Sequence, residues 1–209
     1  TDWSIEEIKK AKADGRPFFQ FLSYNAPHSP IHPPKDWLVK FKKENPGTTN
    51  LRAGIGALIE HLDYSVGRGL KALDDLGMAD NTLVVFTSDN GGKLRYGASN
   101  GPLRSDKTHV YEGGLKVCTS FTWPGKIKSG GETAFRGMTM DLFPTILDAA
   151  GIKDHGSIDG MSMFQEITKG GQTPFDGRDQ VYTWLQGYKK HALRKGCLLY
   201  TSDAADDLF

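Results

Sequence analysis

Leu83-Val84-Val85-Phe86-Thr87-Ser88-Asp89-Asn90-Gly91-Gly92 is the stretch whose reading decides the fold. Its first half is continuously apolar, the pattern of a strand buried on both faces rather than wetted on alternate residues. Its second half passes through Thr-Ser and Asp-Asn into two glycines, which lets the backbone turn sharply at the strand's carboxyl end. In open α/β sheets ligands gather at that end of the strands. There Asp89 and Asn90 set a carboxylate beside an amide oxygen, donors of the kind calcium or magnesium takes. Asp-Asn-Gly-Gly also closes many strands that bind nothing, so spacing alone leaves both readings open.

A second run, Phe18-Phe19-Gln20-Phe21-Leu22, repeats the layout and is expected to be another buried strand. It runs into Ser23-Tyr24-Asn25-Ala26-Pro27-His28-Ser29-Pro30. His28 lies between two prolines, whose fixed φ presents the imidazole at low entropic cost. A lone loop histidine is more often a surface residue than a catalyst. In a parallel sheet, His28 and Asp89-Asn90 would share one edge.

Between the two runs the period changes. Ile55, Leu58, Ile59, Leu62, Val66, Leu70, Leu73 and Leu76 recur at helical spacing and predict a long crossover helix from about residue 51, stopped by Gly77. His61 and Asp63 on it read as structural or solvated. Asp2 or Ser4 caps an earlier helix that ends near Asp14-Gly15. Residues 31–47 read as surface loop with a short helical piece. Residues 93–107 form a glycine- and polar-rich stretch whose length marks a functional or mobile loop. It ends in Lys107-Thr108-His109-Val110-Tyr111-Glu112-Gly113-Gly114. Beyond it the pattern predicts a strand over 115–121, a turn at Trp123-Pro124-Gly125, and a helix over 138–150 stopped by Gly151. A short helix within 156–173 follows, then a strand at Val181-Tyr182-Thr183-Trp184 with 191–194 as its partner. This order is α/β, with a mostly parallel central sheet flanked by helices.

The 209 residues carry a formal net charge of +1, which gives no electrostatic basis for binding nucleic acid or a membrane. No apolar run approaches the ~20 residues of a membrane helix. Cys118 and Cys197 are too few for a disulfide framework. The chain opens on Thr1-Asp2-Trp3-Ser4, without an initiator Met or signal peptide, and is expected to lack its natural start.

Several motifs stand in a telling order: Asn25-Ala26-Pro27-His28-Ser29-Pro30, Leu62-Asp63, the strand ending in Asp89-Asn90-Gly91-Gly92, Pro102-Leu103-Arg104 with Lys107, Tyr111-Glu112-Gly113-Gly114, Trp123-Pro124-Gly125, Met140-Asp141-Leu142-Phe143-Pro144-Thr145, and Asp159-Gly160. Together they resemble the formylglycine-dependent, arylsulfatase-like sulfatases of the alkaline-phosphatase-like superfamily, over about residues 1 to 196. The resemblance implies an alkaline-phosphatase-like α/β fold, incomplete at its N-terminus. It implies hydrolysis of sulfate esters of a small-molecule, aryl or glycan substrate, and export to periplasm, exterior or lysosome. Asp89 and Asn90 match half of the family's calcium site. Lys107 matches the lysine that contacts the sulfate, and His28 the histidine near the leaving-group oxygen; both are catalytic and substrate-binding candidates. Arg104 could fork to sulfate or serve as a structural ion-pair residue, and Glu112 is expected to hold the lysine loop.

There are departures. Cys118 stands where the family usually has proline, Thr122 where arginine is common, and Thr108 where glycine often follows the lysine. No Cys/Ser-x-Pro-x-Arg motif, the source of formylglycine, occurs, and the acidic pair that completes the calcium site is absent. The expectation is a C-terminal portion of a sulfatase catalytic domain over residues 1–175 and the start of a C-terminal subdomain over 176–196. Residues 197–209 read as adapter-derived sequence. Two other readings stay open: a related phosphodiester or phosphonate monoester hydrolase, and a non-catalytic relative that binds sulfated glycans.

Overall fold

The computed structural model describes residues 1–133, 135–154, 156–169, 180–185, 190–195 and 198–201, with the backbone alone for 180–185, 190 and 195. The chain divides into two compact units, Thr1–Ala79 with Gly92–Pro102, and Asp80–Gly91 with Leu103–Phe209.

The first unit is helical. Helix α1 (Asp2–Ala13) buries Ser4, Ile8 and Ala11 and ends before Gly15, whose φ of 63° lies in the left-handed region. Helix α2 (Lys35–Glu44) packs on helix α3 (Asn50–Asp75), the long helix that the apolar period predicts. A Cβ on Gly56 of α3 would lie 2.3 Å from Phe41 Cζ, so the missing side chain admits that ring. The Trp37 ring lies against His61 and Tyr64, at centroid separations of 5.2 and 5.4 Å, which makes His61 structural. Thr49 caps α3, its hydroxyl accepting from the Arg52 N–H at 3.3 Å. At the other end, Gly77 (φ 62°) donates to Asp74 O and Met78 to Leu73 O, satisfying the last carbonyls. The apolar stripe of α3 is only half covered: Ile55 and Leu73 are buried, whereas Ile59 and Leu70 are exposed.

The expected strand at 18–22 is not one. Among the described residues no strand pairs with it, and a ladder needs a partner. The segment is held instead by polar side chains: Ser4 Oγ donates to Gln20 Oε1 at 2.6 Å, and Gln20 Nε2 to Ser4 O at 3.2 Å. Phe19 and Phe21 are left 71% and 82% exposed, so the run's apolarity is not matched by burial.

In the second unit, strand β1 (Val84–Thr87) is the core of the opening stretch. It pairs antiparallel with β2 (Thr119–Thr122), Val84 opposite Thr122 and Thr87 opposite Thr119. Burial on both faces is corrected to partial burial, with Phe86 at 40% exposure, because among the described residues this sheet has two strands. The strand expected at 115–121 starts later, since Glu112–Leu115 forms a helical turn, α4. Trp123, buried, closes β2 with its Nε1–H on Asp80 O at 2.9 Å.

A 3₁₀ turn (Thr139–Asp141) and helix α5 (Leu142–Ala149) answer the helix predicted over 138–150. The buried Asp141 carboxylate accepts from the Met138 N–H at 2.7 Å and the Met161 N–H at 2.8 Å. That ties the Asp159-Gly160 segment to α5, ahead of helix α6 (Phe164–Lys169). Strands β3 (Gln180–Leu185), β4 (Lys190–Lys195) and β5 (Leu198–Thr201) form an antiparallel meander; β4 is the partner of β3 that the sequence leads one to expect, and the structure sets the register, with Trp184 opposite His191. The stretch read as adapter-derived thus supplies β5. Cys197, residues 202–209 and the boundary expected at 175–176 lie outside the described residues. All described strand pairings are antiparallel, so the parallel neighbours expected from the order of helices and strands are not among them. Among the described residues no helix is long and apolar enough to cross a membrane.

The Thr49 cap yields a direct expectation. Thr49→Ala should lower unfolding free energy by about 1 kcal/mol, read as a reduced midpoint in urea with unchanged m. Thr49→Ser should restore it.

Candidate functional site

The loop that leaves β1 is set from both sides. Thr87 Oγ1 and Thr119 Oγ1 lie 2.8 Å apart across the strand pair, and Ser88 Oγ donates to Asn90 O at 3.1 Å. Gly91, buried, donates its N–H to Gly114 O at 3.0 Å. A Cβ on Gly91 would fall 1.9 Å from Gly113 O. Cβ atoms on Gly113 and Gly114 would fall 2.2 Å from Ser105 O and 2.2 Å from His109 O. No side chain fits at these three positions, and backbone meets backbone there. The contact joins the loop carrying Asp89-Asn90 to the segment carrying Lys107. Asp89 is exposed and Asn90 half-buried. The Asp89 carboxylate has no hydrogen bond or ion pair among the described residues.

Residues 104–114 form a closed loop with half-buried Lys107 near its tip. The Gly113 N–H donates to Arg104 O at 2.8 Å, joining the two ends, and the Arg104 guanidinium stacks on the Tyr111 ring at 3.9 Å. Arg104 therefore braces the loop by stacking. At the tip, the His109 N–H donates to Asp106 O at 3.1 Å, making a turn with Lys107 and Thr108 at its centre. Glu112 pairs with Arg194 of β4. That guanidinium holds the Glu112 carboxyl below the usual carboxylate range, with burial opposing it. The expectation that Glu112 holds the lysine loop thus meets a definite partner.

His28 belongs to the first unit. It is exposed, its Nδ1 2.7 Å from Ser29 O, and its N–H donates to Asn25 O at 2.8 Å. Thr1 Oγ1 and Tyr24 OH, 2.9 Å apart, steady the start of its loop. An open cleft of about 410 Å³ is lined by Asn25, Ala26, His28, Ser29, Pro30 and Leu58. Of the four residues singled out from the sequence, the structure brings Asp89, Asn90 and Lys107 onto joined loops of one unit, and sets His28 beside its own cleft in the other.

Sequence reasoning did not find Arg194 or the roles of Asp106 and His109. The Gly91-Gly92 and Gly113-Gly114 doublets were a signal for close backbone approach; nothing local marks Arg194, 82 residues from Glu112. No group of three or more His, Cys, Asp or Glu suited to a metal ion occurs among the described residues. Asp89 and Asn90 offer two oxygens of the roughly 6–8 that calcium takes.

Residues 1–152 match the sulfatase family model, and residues 104–202 match the model of the C-terminal region of N-sulphoglucosamine sulphohydrolase. The chain is 35% identical to mouse N-acetylgalactosamine-6-sulfatase over 202 residues, 91% of this chain and 37% of that protein. It superposes on the crystal structure of Ps i-CgsB in complex with k-i-k-neocarrahexaose with a TM-score of 0.77 and 28% identity, covering 99% of this chain and 48% of that one. It also superposes on the phosphonate monoester hydrolase SpPMH from Silicibacter pomeroyi, with a TM-score of 0.57 and 25% identity over 72% of this chain and 32% of that one. The chain therefore spans less than half the length of these relatives. The structural likeness supports the α/β class expected from the sequence.

Two outcomes follow from the loop contacts. Gly91→Ala should destabilise by about 1–3 kcal/mol, because its Cβ must displace backbone rather than a flexible side chain; denaturant unfolding measures it. The Glu112–Arg194 pair should make stability depend on pH. Glu112 titrates below its ordinary 4.5 in the folded state. Its contribution is complete above the unfolded value and is lost as pH falls through the native one. Melting temperatures of the parent and Glu112→Gln should accordingly converge below pH 4.5.

Proposed function

This chain belongs to the sulfatase family, and from that premise we propose that the whole protein is a sulfuric ester hydrolase acting on sulfated carbohydrate or aryl esters. The observation that carries the reading is the glycine contact joining the Asp89-Asn90 loop to the Lys107 loop. A loop whose oxygen pair can hold a cation, joined to a loop that carries an ammonium, suits an anionic ester. Negative charge spreads over the sulfate oxygens and grows on the bridging oxygen as the S–O bond breaks. An ammonium fixed at Lys107 stabilises that charge without reorganising. His28 is the proton donor to the departing alkoxide; with Nδ1–H directed at Ser29 O, its Nε2 is the nitrogen that carries that proton.

The exposed Asp89 carboxylate, unpaired among the described residues, and the adjacent Asn90 amide fit a hard cation, and we assign them to one calcium ion. When bound, that ion supplies fixed positive charge against the sulfate oxygens. Its other ligands, and the formylglycine nucleophile, come from outside these 209 residues. The names of the relatives, N-acetylgalactosamine-6-sulfatase and a protein complexed with a neocarrahexaose, favour a sulfated glycan as substrate. An exported protein is the corresponding proposal for location. The likeness to a phosphonate monoester hydrolase supports a second reading, hydrolysis of phosphonate or phosphate esters at the same loops.

Parallel assays of the whole protein on aryl sulfate and aryl phosphonate esters test the two readings. Preferred turnover of the sulfate supports the first, and preferred turnover of the phosphonate the second. Lys107→Ala should lower kcat/KM by about 10²–10³, and calcium chelation should abolish turnover until calcium is restored. The 209-residue chain alone should release no sulfate; turnover by it would refute the division of the active site.

A further inference from the structure

We propose that Asp106 and His109 form a side-chain clip that holds the Lys107 turn in a conformation Thr108 resists, so that both are positioning residues for Lys107. Thr108 has a φ of 76°, in the left-handed region. It is the third residue of the turn that starts at Asp106, the position where such a turn favours glycine or asparagine. A β-branched residue is poorly suited there and persists only when its surroundings over-determine it.

The surroundings do so in two ways. First, His109 Nδ1 lies 2.9 Å from Asp106 Oδ1 and 3.3 Å from Asp106 O, so one imidazole bridges the first and fourth residues of the turn. Asp106 is 8% exposed, and a carboxylate that far from water requires such a partner. Second, both posts of the clip rest on the same glycine. A Cβ on Gly114 would fall 2.2 Å from His109 O and 2.7 Å from Asp106 O. The Gly114 carbonyl in turn accepts from Gly91, next to Asn90. The clip therefore fixes the Lys107 backbone relative to the Asp89-Asn90 loop. Without it the turn loses the side-chain restraint that opposes its relaxation toward φ values threonine prefers, and the lysine shifts with it.

What Lys107 does rests on the sulfate-ester reading; the clip itself does not. The test uses the whole protein with an aryl sulfate. Asp106→Ala should lower kcat/KM about 10- to 100-fold, the scale of a displacement near 1 Å. Asp106→Asn, which keeps an acceptor for the Nδ1–H, should stay within about threefold of the parent. Thr108→Gly removes the opposing strain, so in the Asp106→Ala background it should recover most of the loss. His109→Leu removes the other half of the clip and should show the same loss and the same rescue, which covers the case that Asp106→Ala fails to fold. Exchange of the His109 amide should accelerate in the single variants and slow again with Thr108→Gly. A loss that Thr108→Gly does not rescue, or unchanged exchange at His109, would overturn the clip. Absence of turnover in the parent protein would overturn the sulfate-ester reading instead, and the exchange rates would then judge the clip alone.

Discussion

Backbone against backbone, at Gly91, Gly113 and Gly114, is the constraint on which the candidate site depends. A single Cβ at Gly91 would stand 1.9 Å from a carbonyl oxygen, closer than any packing tolerates. Because the contact is made by main chain, its geometry does not relax through rotamers. The carboxylate–amide pair leaving β1 and the lysine at the tip of the 104–114 loop are consequently held on one framework. The remaining features of that loop reinforce it: Arg104 over Tyr111, Gly113 to Arg104, and Glu112 to Arg194. Arg194 links the antiparallel meander to the lysine loop, so β4 braces the segment that carries Lys107.

The first unit follows a different logic. Its helices pack through close approach at Gly56 and through the Trp37 ring, while Phe19, Phe21, Ile59 and Leu70 stay in contact with solvent. These residues sit in the run and on the stripe that the sequence marks as core, and the chain spans less than half the length of the relatives it matches. His28 is carried by this unit on a rigid proline-flanked loop beside its own cleft.

Local sequence was a good guide where the deciding physics was local. The period of Ile55 to Leu76 foretold α3 nearly to its ends, because apolar spacing and a glycine stop act within a few residues. The β3–β4 pairing was legible for the same reason. Phe18 to Leu22 was misread because apolarity records a preference for burial, whereas a strand also needs a neighbour to complete its hydrogen bonds. The strand after Gly114 began late because Glu112–Leu115 closes a helical turn under the lysine loop, a demand set by contacts rather than propensity.

The sequence by itself determined the family and the helices with clear periods, and it singled out the candidates for meeting an anionic ester: His28, Asp89, Asn90 and Lys107. Their order and chemistry are written in single stretches of chain. Tertiary structure alone decided how the lysine is held. The glycine contact, the Asp106–His109 bridge around a left-handed Thr108, and the Arg194 partner of Glu112 each depend on where distant or turning backbone comes to rest. No pattern of neighbouring side chains encodes such a meeting, because it is fixed by the path of the main chain between them.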